Sequence, residues 1–125
     1  MEPIFELSDN ISNTTYDDLP QEAVLATKRQ LMDAFAAGIA GSSAEPVKEL
    51  YDIFSDWGGK QESTLWVFGN RLPSVLSAQI NATMVHARDF DDTHDRAVLH
   101  PGAVTVPPAF ALGESLGSSG KDVIT

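Results

Sequence analysis

Apolar side chains recur at helical spacing along four stretches of the chain. Val24, Leu31, Phe35 and Ile39, with Met32 beside them, share one face of a helix predicted over 20–40. Asp18, with Gln21 three residues later, offers a cap at its start, and Pro20 is compatible with a first turn. Gly38, Gly41, Ser42 and Ser43 end the run. Pro46 opens a shorter second helix, whose apolar side is Val47, Leu50, Ile53 or Phe54, and Trp57; Gly58-Gly59 stops it. Pro73 opens a third helix, expected over 73–88, with Leu76, Ile80, Thr83 or Met84, and Ala87 on one side. Its small residues Ser77, Ala78 and Ala82 would let another helix approach closely. A fourth helix is expected to start near Thr105 or Pro107 and to run to Leu116, before Gly117-Ser118-Ser119-Gly120.

Between these elements the pattern is weaker. Residues 1–16 read as a polar, irregular leader or docking segment, on the strength of SDNISNTT. Residues 63–68, Ser-Thr-Leu-Trp-Val-Phe, suit a short extended segment. The closing KDVIT looks like the first turn of a further helix, so the chain is expected to be an incomplete part of a longer domain. The predicted fold class is therefore all-α: part of a helical bundle spanning 17–125, with one extended segment near 63–68.

Composition narrows the partners. Eighteen acidic residues against eight Lys and Arg give a formal charge of −10, and the basic residues are scattered. Such a field repels phosphate backbones and anionic lipid, so neither nucleic acid nor membrane is an expected partner. The chain has no cysteine, which removes disulfides, thiolate metal sites and thiol catalysis. With no secretory pattern at the N-terminus and no run of roughly 18 apolar residues, a cytoplasmic location is expected.

Candidate chemistry is concentrated in one place. All three histidines and four aspartates fall between 86 and 100: His86, Asp89, Asp91, Asp92, His94, Asp95 and His100. A solvated acidic loop is the plain reading of a charge run. The histidines argue against it, because imidazole is the side chain best suited to proton transfer near neutral pH. Several metal patterns compete. Asp91-Asp92-Thr93-His94-Asp95 has the DDxxD spacing that holds magnesium against a diphosphate, but no second aspartate motif or cationic clamp accompanies it. His94-Asp95 has the HD dipeptide of metal phosphohydrolases without their further ligands. An EF-hand fails because His94 and His100 occupy the turn-glycine and bidentate-glutamate positions.

A wider set of motifs fits together. Thr64-Leu65-Trp66-Val67-Phe68-Gly69, Arg71-Leu72-Pro73, the run Asn81 to Thr93 (NATMVHARDFDDT) and His100-Pro101-Gly102-Ala103-Val104 resemble the N-terminal region of the MmgE/PrpD family. Asp17-Asp18-Leu19-Pro20 and Gly120-Lys121-Asp122 fit the same pattern, so the resemblance extends from about Tyr16 onward. The family includes 2-methylcitrate dehydratases, cis-aconitate decarboxylases and iminodisuccinate epimerases.

The resemblance implies a cofactor-free, metal-independent enzyme acting on a small di- or tricarboxylate, with a large helical domain, a smaller α/β lid and a usual homodimeric state. It implies His100 and Asp89 as catalytic residues, with His100 transferring a proton and Asp89 orienting it or touching substrate. Thr93 and His86 become substrate-binding candidates, although His86 also suits helix packing. Asp92 could cap the following turn, and Asp91 and Asp95 are expected to be solvated. A lyase, whether dehydratase or decarboxylase, is the leading expectation; an epimerase shares the same proton step. A truncated, non-catalytic helical fragment that binds a partner is the reading from another class. Arg88 and Arg96 are the only cations near the four aspartates, so the cations that would hold a polycarboxylate are expected to lie elsewhere.

Overall fold

A computed structural model describes residues 2–125. In chain order the elements are α1 (Pro3–Asn13), a 3-10 turn (Tyr16–Asp18), α2 (Gln21–Gly41), α3 (Glu45–Trp57), β1 (Ser63–Thr64), β2 (Arg71–Leu72), α4 (Ser74–His86), α5 (Pro101–Leu116) and α6 (Gly120–Ile124). The architecture is mostly helical, as the spacing predicts. α4 lies at the centre, packed most extensively against α5 and α2.

The centre of the packing is built from small residues. α2 buries Val24, Ala34, Ala37, Gly38 and Gly41, whereas Met32 and Ile39 of its expected apolar face are exposed. The reason is proximity. A Cβ on Gly41 would collide with the Met84 carbonyl of α4, so the helices meet backbone to backbone and bulky side chains are displaced outward. Ala34, Ala37, Val85, Ala103 and Val106 form one cluster, covered by Leu31, Trp66 and Phe110. A second cluster, Phe54, Leu65, Leu72 and Ile80, joins α3, the hairpin and α4.

The segment expected to be extended is a hairpin instead of one strand. β1 pairs antiparallel with β2, and Trp66 to Phe68 form the turn, with Val67 in the left-handed region at φ 47°. Asn81 of α4 holds this turn in place. Its Oδ1 accepts from the Trp66 amide at 3.0 Å, and its Nδ2 donates to the Thr64 carbonyl at 3.0 Å. Ser77 Oγ donates to the Ser63 carbonyl at 2.8 Å, which satisfies a second buried polar group one turn earlier. Glu62 accepts from the Ser74 amide at 3.1 Å and so closes the start of α4. Lys60, and then that amide, hold the Glu62 carboxyl below the usual range.

Three expectations are corrected. Residues 3–13, expected to be irregular, form α1: Pro3 supplies a favourable first turn, and Ile4, Leu7 and Ile11 make a stripe at helical spacing. That stripe is exposed, and α1 buries no residue. Asp18 does not cap α2; its Oδ2 accepts from Thr15 N and Oγ1 at 2.9 and 2.6 Å and closes the preceding 3-10 turn. The fourth expected helix, α5, begins at Pro101 and runs through Pro107 and Pro108. The expected turn at the C-terminus is present as α6, with Ser119 accepting from the Asp122 amide.

The close α2–α4 contact generates a test. Gly41→Ala should destabilise the chain by about 1–3 kcal/mol, because a Cβ there overlaps backbone. Gly120→Ala, with open space around it, should stay within about 0.5 kcal/mol of the unsubstituted chain. Urea denaturation compares the two, and equal midpoints would refute the tight crossing.

Candidate active site

The candidate site lies where α4 ends and α5 begins. His86 is the last residue of α4 and His100 is the residue immediately before α5. The chain between them turns sharply at Asp89, whose φ of 55° places it in the left-handed region. Aspartate tolerates that conformation better than most residues. The Asp89 amide donates to the His86 carbonyl at 3.0 Å, closing the helix end.

Two adjacent aspartates then serve opposite sides of the turn. Asp92 Oδ1 accepts from the Gly102 amide at 2.9 Å and satisfies an N–H of the first turn of α5. This contact explains why α5 starts at Pro101 rather than later. It also explains the glycine, because Asp92 Oδ1 and Gln30 Nε2 occupy the space that a Cβ at 102 would fill. Asp91 faces the other way. Its side chain is 1% exposed, and its oxygens lie 3.1 and 3.2 Å from His86 Nδ1. The expectation of a solvated Asp91 is therefore wrong.

His100 sits between two carboxylates. Its Nδ1 is 3.5 Å from Asp91 Oδ1, and its Nε2 is 3.5 Å from Asp89 Oδ1. The His100 side chain is 29% exposed, whereas Asp89 is 79% exposed and His86 is 54% exposed. The two imidazole rings meet edge to face with centroids 4.8 Å apart. Beside them opens a cavity of about 590 Å³, whose walls include Pro46, Ala82, Ala87, Leu99 and Ala103.

The structure thus brings together three of the four expected catalytic and substrate-binding residues, His86, Asp89 and His100, and adds Asp91. Thr93 is exposed and lies outside this group. His94 bridges to Leu99 and accepts from the Ala97 amide at 3.1 Å through Nδ1, while Asp95 is exposed. The Asp91-Asp92-Asp95 arrangement does not converge: one side chain is buried beside the histidines, one caps α5 and one faces outward. Arg88 reaches toward Ser43 at 3.4 Å.

Among the described residues, His86, Asp89, Asp91 and His100 could surround an ion, with one donor atom from each lying within 4.8 Å of the others. That spread is wider than the roughly 3.4 Å between ligand atoms of a tetrahedral zinc with bonds of about 2.0–2.1 Å, and falls within the separation of about 4.6–5.2 Å between opposite ligands of a calcium-sized ion. His100 also presents a different nitrogen to each carboxylate, as an imidazole placed for proton exchange does.

The mostly helical fold thus brings imidazoles and carboxylates, groups able to exchange protons, together at a helix junction. Residues 6–125 match the MmgE/PrpD N-terminal domain, and the chain belongs to that family. It is similar to the cis-aconitate decarboxylase of Aspergillus terreus, with 25% identity over 112 residues, 90% of this chain and 23% of that protein. It is also similar to the cis-aconitate decarboxylases of Homo sapiens, 31% identical over 104 residues, and Mus musculus, 32% identical over 91. Those matches cover 82% and 72% of this chain, and 21% and 18% of the relatives. The chain spans less than a quarter of the length of these curated relatives. No helix among the described residues is long and apolar enough to cross a membrane.

The Asp92 contact is open to direct measurement. Asp92→Ala should cost about 1 kcal/mol of stability, in the range of a lost helix cap. Gly102→Ala should also destabilise, since the new methyl would displace the same carboxylate. A denaturation midpoint unchanged in both variants would show that the start of α5 does not depend on this contact.

Proposed function

We propose that this chain is the N-terminal part of a cofactor-independent lyase that acts on a small di- or tricarboxylate, with decarboxylation the favoured reaction. The observation that carries the proposal is the His100 imidazole set between Asp89 and Asp91, on a chain of the MmgE/PrpD family whose relatives are named cis-aconitate decarboxylases. In a decarboxylation, the bond to the departing carboxylate breaks and CO2 leaves. The electron pair delocalises toward a neighbouring carboxyl group as an enolate-like intermediate, and His100 delivers a proton to carbon. A dehydratase runs a related sequence, with a base removing the proton next to a carboxylate before hydroxide leaves.

Asp89 faces His100 Nε2 from the exposed side, where it orients the ring or exchanges a proton with it. Thr93 and His86 are the substrate-binding candidates in this reading. The substrate's negative charges need converging cations, and we place these in the length that the relatives possess beyond the region matched here. The whole enzyme is proposed to work as a homodimer in the cytoplasm.

The experiment assays the full product of the gene on cis-aconitate, citrate and 2-methylcitrate, before and after exhaustive chelation. His100→Ala should lower turnover on the order of a hundredfold or more, and chelation should leave it unchanged. Asp95→Ala, outside the cluster, should be mild. Loss of activity on chelation that added metal restores, or an unaffected His100→Ala variant, would overturn the proposal.

A further inference from the structure

We propose that Asp91 is the positioning residue of this site: its buried carboxylate fixes which nitrogen of His100 carries the hydrogen, and leaves Nε2 as the nitrogen that exchanges protons. The inference rests on His100 being the proton-transfer group, but its test reads the imidazole directly.

The argument begins with burial. The Asp91 side chain is 1% exposed, yet no Lys or Arg pairs with it among the described residues. A buried carboxylate requires donors. Among the described residues the side-chain donors in reach are two imidazoles, His86 at 3.1 Å and His100 at 3.5 Å, both through Nδ1. A carboxylate has two oxygens and about four acceptor sites, enough for both rings.

His100 Nδ1 has the complementary need. It is buried without a hydrogen-bond partner within normal distance, and its nearest acceptor is Asp91 Oδ1 at 3.5 Å. If Nδ1 were bare, its lone pair would face a carboxylate oxygen in a dry environment, which is repulsive. With a hydrogen on Nδ1, the same contact is attractive and closes by a few tenths of an ångström to a normal hydrogen bond. Asp91 therefore selects the Nδ1–H form, since the partner of one ring nitrogen sets the state of the other. Nε2 is left toward Asp89, which is 79% exposed.

His86 completes the device. Its ring contacts both Asp91 oxygens and packs edge to face on His100. It offers the carboxylate a second donor beside His100. The Asp91 side chain is almost wholly screened from solvent and does not line the cavity, so its role runs through His100 and not through substrate.

The test is long-range proton–nitrogen NMR on the chain labelled with 15N-histidine, at a pH where the rings are neutral. The unsubstituted chain should show His100 with its hydrogen on Nδ1. In Asp91→Asn the amide offers a competing donor to Nδ1, and His100 should shift toward the Nε2–H form. Backbone amide spectra report whether the variant is folded. If Asp91→Asn does not fold, the unsubstituted chain decides alone: an Nε2–H tautomer at His100 overturns the proposal. A His100 tautomer that Asp91→Asn leaves unchanged overturns it as well. In the active gene product, Asp91→Asn should lower kcat on the order of a hundredfold or more with KM changed less than about threefold, whereas simple structural damage would affect both. The outcomes are separable from the proposed function: an Nδ1–H signal lost in Asp91→Asn sustains the control of the His100 tautomer by Asp91, whereas an active His100→Ala variant refutes the proton-transfer role of His100 itself.

Discussion

The junction between α4 and α5 depends on two consecutive carboxylates that point in opposite directions. Asp92 binds the Gly102 amide and fixes where α5 begins, and thus where His100 stands just before it. Asp91 faces the Nδ1 atoms of both histidines. A shift of one residue in the turn would put Phe90 or Asp92 where Asp91 meets the histidines, and Asp91 or Thr93 where Asp92 meets the Gly102 amide. The left-handed Asp89 sets that register by reversing the chain directly after α4. The tight α2–α4 crossing at Gly41 and Met84 holds the helix that carries His86.

Much of the fold was legible because helix spacing is a property of the sequence itself. The ends of α2, α3 and α4 lie within about two residues of the positions that proline and glycine punctuation suggests. The less legible features depend on partners distant in sequence. Met32 and Ile39 match a helical stripe, but the buried face of α2 is made of alanine and glycine because α4 comes so close. The start of α5 departs from the local expectation because its capping group is ten residues upstream, where no local rule looks for it. α1 is hard to read locally because its polar residues outweigh a short apolar stripe that remains exposed.

For the site, the grouping of three histidines within one short segment was the readable signal, and two of them do meet. Asp91 was not readable as a buried group. In sequence it belongs to a run of acids that resembles a solvated loop or a magnesium motif, and only the turn distinguishes it from Asp92 and Asp95. The sequence signal that could have found it is the DFDDT run itself, in which adjacent acids beside a helix end cannot all face the same way.

Membership in the MmgE/PrpD family agrees with this geometry, since the matched region brings both histidine-bearing helix ends within one domain. The central claim is that His86 and His100 converge on a buried Asp91. Proton–proton NOE spectroscopy on the chain addresses it most directly. With ring centroids 4.8 Å apart, cross-peaks between His86 and His100 ring protons are expected, and both rings should keep them when the exposed His94 is replaced. Absence of any His86–His100 cross-peak in a chain with well-dispersed, folded spectra would contradict the account.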